Sequence, residues 1–288
     1  MNENGFLIHD GKIRKSGIPL ISPDNRSFRY GDGFFETMKM ENGQIVLEPL
    51  HFERLFTSLD QLRFKRPSFF TPDHLRRQVL EIAEKNKHQS LARIRLTVFR
   101  GEGGLYELDD QAPHYIIQSW PLNPSVNKLN ENGLVAGIYK DARKACDGFS
   151  HIKSNNYLAY AMAALWAKEQ KMNEAFVLNS FDRIADATIA NIFIVKDGLV
   201  KTPSLAEGCV GGVMRKYLLQ LLRRENIPVE ETQLEIEDVL QASEIFLTNA
   251  IQGIKWVKQL GENGFDNSLA AHLHHKLFNE YAFQPVNR

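Results

Sequence analysis

A two-domain α+β protein is predicted by three features of the sequence. The chain has 288 residues, its first hundred carry strand pairs around Asp-Gly and Asn-Gly turns, and strands alternate with apolar-periodic helices beyond residue 132. That length exceeds the roughly 100 to 200 residues of a typical domain. The composition shift at PLNPSVNKLNENG predicts a linker over 121–132, between a smaller N-terminal domain at 1–120 and a larger one at 133–288.

In order along the chain, FLIHDGKI alternates around an Asp-Gly turn, and FFETMKM with QIVLE forms a second pair around Asn42-Gly43. In PLHFERLFTSLDQLRF, Leu50, Leu55, Leu59 and Leu62 fall near helical spacing and predict a helix lying on that sheet. In TPDHLRRQVLEIAEKN, Thr71 is the cap, Pro72 the first helical residue, and Leu75, Val79 and Ile82 the apolar face. ARIRLTVFR returns as a strand with Arg93, Arg95 and Thr97 alternating along it, and HYIIQSW adds another. Past the linker, LVAGIYK opens the second domain. Its strands are expected at 174–179, 191–195 and 245–248, its helices near 157–170, 211–225 and 236–242, and a last helix at 268–281. Ser154, Asn155 and Asn156 are read as the start of the first of these helices.

Lys plus Arg and Asp plus Glu each number 35, so no net field would draw the chain to nucleic acid or an anionic membrane. An apolar fraction of 43% describes an ordinary folded protein. Cys146 and Cys209 are too few for a disulfide framework or an all-thiolate metal site. His272, His274 and His275 in HLHH lack HExxH or a carboxylate at ligand spacing and are read as helix-surface histidines, so no metal is expected. The first residues lack a signal-like apolar stretch and no apolar run is long enough to span a bilayer, so a cytoplasmic protein is expected.

Three places in the sequence can carry chemistry. Lys153 precedes a largely apolar helix; an amine there can attack a carbonyl if its pKa is depressed, although a solvated lysine fits the spacing as well. Asp186 in RIADATIANIF has an apolar residue on each side and can hold a protonated ring nitrogen, or equally serve a turn or cap. Gly208, Gly211 and Gly212 precede a helix whose first N–H groups, at Val213 and Met214, can cradle a phosphate, with Arg54 as a bidentate partner or a surface arginine. The loop is neither a Walker loop nor GxGxxG.

RYGDGFFET, HFERL, KSNNYL, ANIFIVKDGLVKTP and GGVMR follow one another in this order. Together they resemble the class IV aminotransferase family of fold-type IV pyridoxal phosphate enzymes, over residues 5–260. The resemblance implies a smaller N-terminal α/β sandwich domain, a larger C-terminal domain with a β-barrel-like core, pyridoxal 5'-phosphate as cofactor, a small-molecule amino substrate and a homodimer. It implies Lys153 as the lysine that bonds the cofactor and later moves the substrate proton. It implies Arg54, the N–H groups of Val213 and Met214, and Asn249 with Ala250 as phosphate ligands. Asp186 stands where the family normally has glutamate, one methylene longer, and is assigned to the ring nitrogen.

Within the family, Thr37 in FFET occupies a position that branched-chain aminotransferases usually give to glycine, and Asn249-Ala250 replaces their Gly-Thr pair. Both features, with RGEGG and GGVMR, resemble 4-amino-4-deoxychorismate lyase, although that lyase often has Asn-Gly at Gly211-Gly212 and a second arginine that RGEGGLYE lacks. The implied function is conversion of 4-amino-4-deoxychorismate to 4-aminobenzoate and pyruvate, with Lys153 and Thr37 at the chemistry and Phe35 lining the substrate. One alternative is a branched-chain or D-amino-acid aminotransferase, which shares the first proton abstraction; another is a non-catalytic protein retaining the fold. Arg95 and Arg100 are candidates for substrate carboxylates. Their separation of five puts them on opposite faces of an ideal strand, and Arg100 is favoured for its place beside the glycines.

Overall fold

Asp10-Gly11, Asn42-Gly43 and Asp197-Gly198 each put two consecutive residues at positive φ, at 47° and 76°, 49° and 77°, and 54° and 77°. This is the mirror-image turn whose twist matches that of paired strands, and asparagine, aspartate and glycine reach it with least strain. Each turn closes a two-residue hairpin in the computed structural model, which describes residues 5–106 and 110–281. Glu107, the last residue of RGEGGLYE, lies outside the described residues. The chain forms two units, Met1–Pro124 with Ile152–Asn156, and Ser125–His151 with Tyr157–Arg288.

The first unit contains β1 (Phe6–His9), β2 (Lys12–Lys15), α1 (Arg26–Tyr30), β3 (Gly33–Glu41), β4 (Gln44–Ile45), α2 (Glu48–Gln61), α3 (Pro72–Lys85), β5 (Leu91–Phe99) and β6 (His114–Pro121). The strands form an antiparallel sheet in the order β2-β1-β6-β5-β3-β4. Strand alternation turns Phe34, Met38 and Met40 of β3, and Ala92, Ile94, Leu96 and Val98 of β5, into one core with Leu55 and Leu59 of α2 and Leu75, Val79 and Ile82 of α3. Burying each large apolar side chain contributes about 1.5 to 3 kcal/mol. Thr71 Oγ1 accepts from His74 N and Pro72 occupies the first turn of α3, as expected. Leu50, five residues before Leu55, falls off the buried stripe, and His51 and Phe52 take the inward positions instead.

The second unit contains β7 (Leu134–Lys144), α4 (Leu158–Glu169), β8 (Glu174–Asn179), β9 (Ile184–Ala187), β10 (Asn191–Lys196), β11 (Leu199–Pro203), α5 (Val213–Arg224), β12 (Val229–Thr232), α6 (Ile236–Leu240), β13 (Glu244–Asn249), β14 (Gly253–Leu260), β15 (Asn263–Gly264) and α7 (Ser268–Tyr281). Its sheet runs β12-β11-β10-β13-β14-β7-β8-β9, with β15 beside β14, and curls into a half-barrel in which β9 folds back against β10 and β11. All six residues of β8 are buried. Ala175 and Val177 pack with Ala163 and Ala167 of α4, whereas Phe176 and Leu178 join Ile192, Ile194, Ile245 and Val257 on the other side. A strand covered on both faces gives a continuous apolar run rather than alternation.

The sequence does not signal β9, β12, β14 or β15. β9 is a four-residue buried stretch between two other strands, β12 is a largely exposed strand at the sheet edge, lysines interrupt the apolar alternation of β14, and β15 is only two residues long. Among the described residues no helix is long and apolar enough to cross a membrane.

Candidate functional site

In the first unit, Ile152–Asn156 runs beside β3 and makes an antiparallel bridge between Ser154 and Phe34. Phe35 N donates to Lys153 O and Asn155 N to Gly33 O, both at 2.9 Å. The expectation that Ser154, Asn155 and Asn156 start α4 is therefore corrected. Asn155 Nδ2 donates to Ser27 Oγ at 2.8 Å, and α4 begins at Leu158 without a side-chain cap. Pairing with β3 has claimed the backbone that a cap would need.

This tether holds Lys153 Nζ 4.7 Å from the centroid of the Phe35 ring. The Arg95 guanidinium carbon stands 3.7 Å from the centroid of the same ring, and Arg95 Nε donates to Thr97 Oγ1 at 3.2 Å. Thr37 lies directly across from Arg95, and Phe35 across from Thr97, in the β3–β5 register. Phe35, Thr37, Arg95 and Thr97 thus share one face of the sheet. An amine and a guanidinium against one aromatic ring can receive a substrate that carries both a carbonyl-reactive centre and a carboxylate.

Glu36 faces the other way, toward α2. Arg54 Nε and Nη2 donate to its two oxygens at 2.7 and 2.6 Å, and His51 Nδ1 lies 2.7 Å from Oε2. Burial pushes the Glu36 carboxyl up, but the charge of Arg54 and the hydrogen bonds from His51 and Arg54 prevail and hold it at about 2. Burial pushes the His51 imidazole down, against the pull of Glu36. The pair is therefore a carboxylate and a neutral imidazole donating through Nδ1, and among the described residues His51 Nε2 finds no donor. Glu36 orients Arg54 through a bidentate grip.

Arg100 is committed elsewhere. Its Nη1 donates to Asp32 Oδ1, its Nη2 donates to the Leu62 carbonyl, and its guanidinium lies 4.2 Å from the Phe64 ring centroid. Asp32 Oδ2 takes a second cation, Arg26 Nε, at 2.9 Å. Arg95, rather than the favoured Arg100, shares the aromatic ring with Lys153.

In the second unit, Asp186 lies on β9 where that strand carries an extra residue against β8: Val177 pairs with Asp186, but Leu178 pairs with Ile184. Such a bulge re-aims the side chain next to it. Asp186 is 2% exposed. Its Oδ2 accepts from Tyr160 Oη at 2.8 Å and Val210 N at 2.7 Å, and its Oδ1 accepts from Asn191 Nδ2 at 2.8 Å. Burial pushes its carboxyl up, opposed by Lys144 and by these donors.

The loop from Cys209 to Gly212 hangs on this acid. Val210 N bonds Asp186, and the Val210 carbonyl accepts from Asn191 Nδ2 and Gly212 N, both at 2.7 Å. Gly212 is required by close approach, because a Cβ there would fall 1.9 Å from Asn191 Oδ1. It is the N-cap residue of α5 and has no capping side chain; Val213 and Met214 form the first turn. N–H groups at this position have no intrahelical acceptor and are suited to an anion.

Asn249 closes its own turn, with Oδ1 accepting from Ile251 N and Gln252 N. Beside it, Thr248 is 1% exposed and its Oγ1 finds no partner among the described residues. Thr248 pairs across from Asn191, so the two side chains share the sheet face onto which Asn191 draws the Gly212 loop. The sequence reading missed Glu36, His51, Tyr160, Lys144, Asn191 and Thr248. Glu36 and His51 lie inside the motifs FFET and HFERL and were within reach, whereas a lone threonine on a buried strand carries no sequence signal.

A family model described as amino-transferase class IV matches residues 33–260. The chain belongs to that family. It is 30% identical over 272 residues, 93% of this chain and 92% of the relative, to a Methanocaldococcus jannaschii protein that carries a provisional branched-chain-amino-acid aminotransferase name. It is 29% identical over 259 residues, 88% of this chain and 92% of the relative, to the aminodeoxychorismate lyase of Vibrio harveyi. Its fold matches the branched-chain aminotransferase of Thermoproteus uzoniensis, crystallised with norvaline, at a TM-score of 0.84 and 21% identity, covering 96% of this chain and 94% of the other. As a member of class IV the chain is an enzyme that uses pyridoxal 5'-phosphate. Each unit holds residues that fit that cofactor: in one, Lys153 supplies an amine beside an aromatic ring; in the other, the buried Thr248 hydroxyl has no partner among the described residues and the start of α5 has no capping side chain.

Proposed function

We propose that this class IV enzyme transfers the amino group of a small amino acid, of the branched-chain or D-amino-acid type, to a 2-oxo acid. The observation that carries this reading is the Arg95–Phe35–Lys153 arrangement, which offers a carboxylate partner and a reactive amine on one ring. The similarity to the M. jannaschii protein over nearly the full length of both chains supports it.

Pyridoxal 5'-phosphate, when bound, supplies an aldehyde for amines and a ring that accepts the electrons released at the substrate α-carbon. Lys153 is assigned as the amine that would hold the aldehyde and as the base that would take the substrate α-proton at Nζ. Arg95 is assigned to the substrate carboxylate, with Phe35 and Thr37 lining the same face. Arg54, pre-oriented by Glu36, is assigned to the phosphate, as are the N–H groups of Val213 and Met214, the Asn249-Ala250 turn and the Thr248 hydroxyl. Asp186 is assigned to the ring nitrogen. What supports this is the spare acceptor position on Oδ1, which receives only Asn191 Nδ2 among the bonds found, whereas Oδ2 receives two donors.

The second reading is the lyase reaction on 4-amino-4-deoxychorismate. It is favoured by the similarity to the V. harveyi enzyme and requires the same proton abstraction by Lys153. The deciding assay incubates the enzyme with donor amino acids and 2-oxo acids in one series and with 4-amino-4-deoxychorismate in another. Amino-group exchange without release of 4-aminobenzoate and pyruvate supports the transaminase; the opposite result reverses the assignment. We further infer a homodimer, because α4 leaves Leu158, Met162 and Leu165 exposed at spacings of four and three residues along one helix face. Sedimentation giving the mass of a single chain would withdraw that inference.

A further inference from the structure

A buried carboxylate three-quarters enclosed by neutral donors still needs a positive charge nearby to remain ionised, and Asp186 has one within its own unit. Beyond Tyr139, strand β7 loses register with β8: Tyr139 pairs with Val177, but Arg143 pairs with Leu178, leaving Lys140, Asp141 and Ala142 unmatched. After this irregularity two adjacent basic residues diverge. Arg143 reaches the exposed Asp182 at 2.6 Å, whereas the Lys144 side chain is only 10% exposed and its Nζ lies 3.7 Å from Asp186 Oδ2.

Lys144 Nζ donates to the Ser150 carbonyl at 3.1 Å and stands 5.1 Å from the centroid of the Tyr160 ring. At 3.7 Å its contact with Asp186 is coulombic rather than a hydrogen bond, so it leaves both lone-pair sites on Oδ2 to Tyr160 and Val210. The ammonium is thus anchored by one neutral acceptor and one ring, with its charge directed at the acid.

We propose that Lys144 is a positioning residue for the reaction: its ammonium keeps the Asp186 carboxylate anionic, so that Oδ1 can hold a protonated ring nitrogen. The other groups facing Asp186 do not supply this charge. Tyr160 from α4 is pushed well above the usual phenol range by burial and the adjacent acid, and Cys209 from the Gly-rich loop is pushed up to about 12, chiefly by burial. Both are neutral at ordinary pH. Asn191 from β10 and the Val210 N–H are neutral donors. For Asp186 itself burial prevails and holds the carboxyl above its ordinary range, and Lys144 is the largest influence in the opposite direction. Loss of the ammonium would let the acid take up a proton, and a neutral carboxyl group no longer favours a charged nitrogen.

The proposal rests on the assignment of Asp186 to the ring nitrogen, and its test separates the two. The full enzyme is loaded with pyridoxal 5'-phosphate labelled with nitrogen-15 in the ring, and the nitrogen resonance is recorded for wild type, Lys144→Met, Lys144→Arg and Asp186→Asn. The expected result is a protonated ring nitrogen in wild type and Lys144→Arg, and a shift toward the neutral form in Lys144→Met and Asp186→Asn. If Asp186→Asn shifts the resonance and Lys144→Met does not, the role of Lys144 is overturned while the Asp186 assignment stands. If Asp186→Asn leaves the resonance unchanged, the Asp186 assignment fails. The Lys144 interaction is then decided by carbon-13 titration of the Asp186 carboxyl in the full chain, where Lys144→Met must raise the midpoint at least tenfold in proton affinity. An unchanged midpoint would overturn it. Should Lys144→Met fold poorly, Lys144→Gln serves in both measurements.

Discussion

Gly212→Ala adds one carbon at a point where the chain has no room for it. The new Cβ would fall 1.9 Å from Asn191 Oδ1 and 3.1 Å from its Cγ, so Asn191 must leave its place. The backbone is not at issue, since φ is −64° and ψ 137° at Gly212, a conformation open to alanine. Moving Asn191 breaks its bonds to Asp186 Oδ1 and to the Val210 carbonyl, both buried. Two such bonds at about 1 kcal/mol each, plus about 1 to 3 kcal/mol for a stranded buried acceptor, give a loss of roughly 3 to 5 kcal/mol. At about 2 to 4 °C per kcal/mol for a unit of this size, the melting temperature should fall by roughly 6 to 20 °C. Gly211→Ala is the internal control, because its Cβ meets nothing nearer than the His151 carbonyl at 3.5 Å. Its effect should stay within about 0.5 kcal/mol. In an Asn191→Ala background, Gly212→Ala should cost little more, since the obstructing amide is gone. Thermal unfolding of the four variants checks this. Equal stability of the two single glycine variants, or an undiminished loss in the Asn191→Ala background, would refute the steric argument.

Steady-state kinetics and unfolding should separate the two arginines: Arg95→Ala raises KM for a carboxylate substrate about 10- to 100-fold with the fold intact. Arg100→Ala instead destabilises by about 2 to 4 kcal/mol, because a half-buried carboxylate loses one of its two cations. Thr248→Val removes an unpartnered buried hydroxyl, so the melting temperature should hold or rise while cofactor affinity, read by equilibrium dialysis, weakens about 5- to 10-fold. A fall in stability with unchanged cofactor affinity would show that the hydroxyl serves the fold. His114 lies 2.7 Å from Asp10 and 2.6 Å from Asp110, and its imidazole is raised to about 9, first by the bond to Asp10, against burial and with help from Asp110. Because the folded pKa is above the unfolded one, this stabilisation is full below about pH 6.5 and is lost as pH rises through about 9. The groups are about one third exposed, so the contribution is screened to about 1 kcal/mol. Urea unfolding of wild type and His114→Ala should converge above that range.

Much of the fold was legible because local chemistry agreed with tertiary context. The Asx-Gly turns admit few conformations, Thr71 and Pro72 mark a helix start by themselves, and Leu75, Val79 and Ile82 report the buried face of α3 by spacing alone. β9 was not legible, since its four residues gain their partners from β8 and from the curl of the sheet rather than from their own pattern. The same holds for the site. Lys153, Arg54 and Asp186 are proposed from ordered motifs, but the preference between Arg95 and Arg100 could not come from their spacing. It depends on Asp32 and the Leu62 carbonyl, which lie far from Arg100 in sequence and engage its guanidinium. Thr248 and Lys144 were invisible for a related reason: an absent partner and a register slip are properties of folded neighbours.

The segment that carries Lys153 is only five residues long and belongs with Met1–Pro124, yet the chain on both sides of it belongs with the other unit. The polypeptide therefore passes from one unit to the other three times, and no single cut can release either unit whole. A fragment ending at Pro124 would expose the edge of β3 that Lys153 and Asn155 now cover. A fragment beginning at Ser125 would carry the Lys153 amine on a segment stripped of its pairing strand. Neither piece, expressed alone, would hold that amine against Phe35, so the role proposed for Lys153 calls on both segments together.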